Sequence, residues 1–114
     1  MSDLLTVVKQ LGQLSRDLDE SVKKLAELEE PAVDAEADYK VAFAKVYGSA
    51  PGSVEDRKQL STIETSDLFR VHGKASAAVR LQRDHIRALH ARIDVGRTIQ
   101  STARAEMQLA GGQL

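Results

Sequence analysis

The side chains able to do chemistry fall into three groups. The first is an acidic stretch, Glu27, Glu29, Glu30, Asp34, Glu36 and Asp38. On a helix, Glu27, Glu30 and Asp34 share one face, and grouped carboxylates can bind a cation or act as general acid and base. Di-metal helical bundles, however, take their ligands from Glu-x-x-His motifs aimed into the core. No Glu of this chain has a His three residues on. The stretch therefore reads as a solvated charged face, and no metal or other cofactor is expected.

The second group is His72, His85 and His90. His85 and His90 are five apart, so at ~3.6 residues per turn they diverge by about 140° and cannot chelate one ion. The zincin pattern His-Glu-x-x-His is absent. His72 falls in the same heptad phase as Val79 and Ile86, which makes it a seam or boundary histidine. Asp84 beside His85 is not a triad, because no nucleophile stands out among the scattered Ser and Thr. The chain has no Cys, which removes disulfides, thiolate nucleophiles and sulfur-ligated metals together. No catalytic constellation emerges, and the expectation is a protein that is not an enzyme.

The third group is basic. Arg80, Arg83 and Arg87 share the helix face opposite the apolar seam, and Arg92, Arg97 and Arg104 lie on other flanks. Such a stripe meets the electrostatic minimum for nucleic acid. Arg80, Arg83, Arg87, Arg97 and Arg104 are the candidate contacts. Against that reading stand a pI of about 6.3, the lack of nearby aromatics for base stacking and the lack of a helix-turn-helix pattern. The simpler alternative is arginines paired with acids of the other half. Residues 1–52 carry six Lys/Arg against ten Asp/Glu, and residues 53–114 carry ten against seven, so the halves attract.

Long helices must carry these groups. Leu4, Leu11, Leu18 and Leu25 repeat every seven residues, with Val7, Leu14 and Leu28 in the matching positions and Ser21 as the one polar interruption. That is a coiled-coil seam over four heptads. The same register continues through Ala32, Ala35, Tyr39, Ala42 and Val46, across Pro31. The first arm thus spans about 3–48, with a kink or break near Pro31.

A breaker cluster, Gly48-Ser49-Ala50-Pro51-Gly52, ends the arm, with Gly48 in the position of a C-terminal cap. Ser53-Val54-Glu55-Asp56 then has the spacing of a capping box. The second arm, about 54–109, contains no proline and a weak point at Gly73. Its seam includes Val79, Ile86, Leu89, Ile93, Ala103 and Met107, while Leu81, Val95 and Ile99 widen the apolar face beyond what one partner helix covers. Gly96, the other weak point, falls in the seam phase, where a glycine places a bend or, the favoured reading, allows close packing. Only Tyr39, Phe43, Tyr47 and Phe69 are aromatic and there is no Trp, so the seam reads as aliphatic.

The fold class is all-α: one helical domain over 1–114, either a long antiparallel hairpin or a four-helix bundle with coiled-coil-like packing. In the bundle the helices lie near 3–29, 32–48, 54–72 and 74–109. Folding at the 48–53 loop sets residue i opposite roughly residue 101−i. A hairpin that buries one side of each helix is expected to form a homodimer. No apolar run approaches the ~18 residues of a membrane span, and the acidic Met1-Ser2-Asp3-Leu4 start is unlike a signal peptide. The expected location is the cytoplasm.

Several segments resemble small helical proteins of bacteriophages and prophages, especially those of actinobacteria. They are Arg57-Lys58, Thr65, Leu68, Ala75 through Leu81, Ile86-Arg87-Ala88-Leu89, Arg92-Ile93-Asp94-Val95-Gly96-Arg97, Ser101 and Arg104-Ala105-Glu106. The acidic first arm, with Asp34-Ala35-Glu36 before Tyr39, resembles them too. The Ile-Asp-x-Gly-Arg piece is the most specific element, and it singles out Asp94, Gly96 and Arg97 for a shared role. The resemblance implies an accessory protein of the bacterial host cytoplasm, acting on a host or phage protein in host takeover, phage DNA metabolism or defence. It transfers no catalytic residue.

Overall fold

A computed structural model describes residues 2–112. Three helices make up the described chain: α1 (Ser2–Ser49), α2 (Val54–Glu64) and α3 (Ser66–Gly112). No strand occurs among the described residues. The expected division into four helices does not occur, because neither of the predicted breakers breaks a helix.

Pro31 lies inside α1 without interrupting it. A proline removes one backbone donor, here the partner of the Glu27 carbonyl. Pro31 sits on an exposed face, where solvent can satisfy that carbonyl. Gly73 is likewise internal to α3. The actual interruption is at Thr65, between α2 and α3. There the Thr65 hydroxyl donates to the Ser61 carbonyl oxygen at 2.6 Å, and the Ser61 hydroxyl donates to that of Arg57 at 2.7 Å. Hydroxyls bonding back to the i−4 carbonyl compete with the backbone ladder and bend helices. Both side chains are buried, so they have no solvent alternative.

The turn between the arms also differs in detail. Gly48 is helical and α1 runs to Ser49, so Gly48 is not the cap. The left-handed residue is Gly52, at φ 98°. The capping box follows as predicted: the Ser53 hydroxyl accepts from the Asp56 amide at 3.1 Å, and the Asp56 carboxylate accepts from the Ser53 amide at 3.3 Å. The pairing of the arms also departs from the expected register. Leu11 meets Gly96 rather than residue 90, and Tyr47 meets Arg57.

The chain divides into two compact units. The first comprises Met1–Lys24 and Arg83–Leu114, the second Leu25–Gln82. In the first, Leu89 and Ile93 are the buried apolar residues of α3, and Ser21 is buried on α1. Every seam position of α1 from Leu4 to Val46 is buried or half-buried, whereas the off-phase Leu5, Val8, Val22, Val33 and Val41 are exposed. On α1 the heptad phase read from the sequence is thus the packing face, whereas on α3 the seam position Met107 is exposed.

The second unit is antiparallel: going back along α1 from Tyr47 to Tyr39, the partners advance from Arg57 to Phe69 and His72. Its seam is not purely aliphatic. Tyr39 packs edge-on against Phe43 and Phe69, with ring centroids 6.1 and 5.4 Å away, and stacks on His72 at 5.9 Å. Phe43 stacks on Tyr47 at 6.5 Å. All four aromatic residues of the chain are joined in this one cluster. Beside it, Ala35, Ser61, Thr65 and Val79 are buried.

Candidate functional site

Each unit carries an open cavity. In the first unit an apolar groove of about 550 Å³ runs between α1 and α3. Heptad spacing places Val7, Leu11 and Leu14 of α1 along it, and α3 contributes Ala91, Arg92, Val95, Gly96 and Ile99. Val95 is 60% exposed and Ile99 49%. These residues belong to the flank that made the apolar face too wide for one partner helix, and about half of their surface stays open among the described residues.

Gly96 explains how the groove forms. A Cβ built there would stand 2.6 Å from Leu11 Cδ2 and 3.2 Å from Leu11 Cγ. The absent side chain lets Leu11 seat directly on α3, the close packing that its seam phase suggested. Its neighbours in the Ile-Asp-x-Gly-Arg piece behave differently. Asp94 and Arg97 are exposed and form no ion pair with each other, contrary to their i,i+3 spacing. Of the three, Gly96 alone enters the packing.

The acidic stretch builds the second cavity. In the second unit Glu27, Glu30, Asp34 and Asp38 line a cleft of about 600 Å³ together with Pro31, Ala35, Leu68 and Val71. Among the described residues none of the four carboxylates has a hydrogen-bond or ion-pair partner. Glu36, one helical position off this face, instead pairs with Lys40 at 2.7 Å. The Lys40 hydrogen bond and charge hold the Glu36 carboxyl below its ordinary value. Sequence reading found three of the four carboxylates that share the cleft and missed its apolar lining from Leu68 and Val71.

Among the described residues no three of His, Asp and Glu are grouped closely enough to hold a metal ion. His72 is half-buried in the aromatic cluster with Nδ1 3.4 Å from the Ser76 hydroxyl oxygen, while His85 and His90 are exposed. Arg80, Arg83, Arg87, Arg97 and Arg104 are all exposed. Arg87 pairs with Asp84 on its own helix at 3.0 Å rather than with an acid of the other arm. Sequence reading also missed Arg57. Its Nε and Nη2 donate to the Tyr47 carbonyl oxygen at 3.0 and 2.8 Å, and its guanidinium lies 4.4 Å above the Tyr47 ring.

No protein-family profile, curated protein or solved structure matches this chain. Among the described residues no helix is long and apolar enough to cross a membrane. The two cavities and their charges are therefore the basis for a functional reading.

Proposed function

We propose that this chain is a non-enzymatic helical interaction module, an accessory protein of a bacteriophage or prophage working in the cytoplasm of its bacterial host. Two copies associate through the groove of the first unit and so complete a four-helix bundle. The assembly then engages a host or phage protein, in host takeover or prophage-mediated defence. The observation that carries the reading is the open apolar groove around Val95 and Ile99. Aliphatic residues at helical spacing on an uncovered flank are the usual material of a helix–helix interface.

Sedimentation or light scattering of the purified chain tests the association. A two-chain mass that falls to one chain with Val95→Glu supports it, and a one-chain mass for the unaltered protein refutes it. Capture from host lysate with nuclease present tests the partner. A protein retained by the unaltered chain and lost with Val95→Glu supports the reading. Identical capture by both speaks against the groove. A gene neighbourhood without phage genes would remove the phage assignment.

A second reading, nucleic-acid binding in phage DNA metabolism, is supported by Arg80, Arg97 and Arg104, which are exposed and unpaired among the described residues. Phosphate contacts release counterions, so such binding must weaken steeply with salt. Absence of binding at low ionic strength excludes it.

A further inference from the structure

The two cavities are opposite in charge as well as similar in size. The acidic cleft of the second unit presents four unpaired carboxylates around the exposed side chains of Leu68 and Val71. The groove of the first unit has an unpaired guanidinium, Arg92, in its lining beside Val95 and Ile99. Arg97 and Arg104 on the same helix are exposed and unpaired as well. The units as wholes follow the same division. The first carries nine Lys/Arg against seven Asp/Glu, the second seven against ten.

We propose that the groove of the first unit on one copy docks against the acidic cleft of the second unit on another copy. The inference rests on the self-association proposed above and specifies its register. Docking groove on groove would bring the Arg92 of both copies into one interface, and docking cleft on cleft would gather eight carboxylates from the two copies. Like charges facing each other across an interface are strongly unfavourable. The crossed arrangement brings Arg92 and Arg97 to Glu27, Glu30, Asp34 and Asp38, and covers Val95 and Ile99 with Leu68 and Val71.

The chain has no cysteine, so introduced thiols report proximity without background. Val95 and Val71 are both more than half exposed, and a cysteine at either site leaves the core intact. A tagged Val95→Cys chain is mixed with an untagged Val71→Cys chain and treated with a short bismaleimide. The expected product is the mixed covalent dimer, in large excess over either like-with-like product. Charge reversal supplies the second arm of the test. Glu30→Lys/Asp34→Lys alone and Arg92→Glu/Arg97→Glu alone should each weaken association at least roughly tenfold, and mixing the two variants should restore it. Circular dichroism confirms that each variant remains helical.

A predominance of the Val95→Cys like-with-like product overturns the crossed register but leaves association through the groove standing. A dimeric mass with no covalent product in any pairing places the contact elsewhere and overturns it too. A one-chain mass for the unaltered protein overturns both readings.

Discussion

Arg57 offers the sharpest test of how the two arms are held at the turn. The last carbonyls of a helix have no partner within it. At the end of α1 the Val46 carbonyl oxygen accepts from the Ala50 amide at 2.9 Å, and the Tyr47 carbonyl oxygen accepts both hydrogen bonds from Arg57. The guanidinium also places a positive charge at the negative end of the helix dipole and covers the Tyr47 ring at 4.4 Å. Arg57→Ala removes all of this at once. A hydrogen bond to a charged group is worth about 1.5–3 kcal/mol, and a cation over an aromatic ring adds about 0.5–1 kcal/mol at an exposed site. Arg57 is half-buried, and the terms overlap, so the expected loss is about 2–3 kcal/mol. Arg57→Lys keeps the charge but not the planar fork, and should lose about half as much. Urea denaturation followed by circular dichroism measures both. Arg57→Ala within about 0.5 kcal/mol of the unaltered protein, the range of an ordinary surface change, would refute the assignment of Arg57 as the clamp of the turn.

Three further outcomes follow from single residues. Leu89 is 3% exposed, so Leu89→Ala should destabilise the chain by about 2–4 kcal/mol through the cavity it leaves, read by denaturant titration. Gly52 has φ 98°, and a Cβ there would stand 3.0 Å from the Asp56 carboxylate oxygen. Gly52→Ala should therefore cost about 1–2 kcal/mol, whereas the same change at Gly48, helical and with open space, should be neutral or stabilising. The Glu36 carboxyl is lowered in the folded chain by Lys40. Its contribution is therefore present above the unfolded carboxylate value and lost as pH falls through the folded one. Lys40→Met should flatten this small acid-side slope in a melting-temperature series, and an unchanged slope would speak against the pair.

Much of the fold is legible in the heptads. The positions from Leu4 to Val46 that repeat at three and four residues are the positions that pack, because a helix presents one stripe per 3.5 residues to a neighbour. The capping box is legible for a similar reason: Ser53 and Asp56 form a local, self-contained pair of bonds. The breaks are not legible, since they depend on where a residue faces. Pro31 is tolerated on an exposed face, while the interruption falls at Thr65, where the hydroxyls of Ser61 and Thr65, unremarkable in a helical sequence, bond back to the ladder. Arg57 escaped notice because its partner is a backbone carbonyl ten residues earlier, visible only once the turn is closed.

The candidate surfaces were half legible, and the missing half lies between helices. The acidic periodicity Glu27, Glu30, Asp34 could be read along one strand of sequence. Its apolar counterpart, Leu68 and Val71, joins it only through the pairing of the arms. The same holds for the groove: Val95 and Ile99 announce an excess of apolar surface, and Gly96 announces a close approach, but Leu11 had to be found across from Gly96 to show where the excess lies. Coiled-coil periodicity fixes which face is buried and leaves pairing register to turn geometry. A change of register relocates cross-helix neighbours while leaving the buried stripe unchanged. Function in a helical interaction protein resides in those cross-helix neighbours, which is why a seam so readable in this sequence says little about its partner. The charges left unpaired after folding, four carboxylates in one cleft and Arg92 in the other groove, carry that information instead.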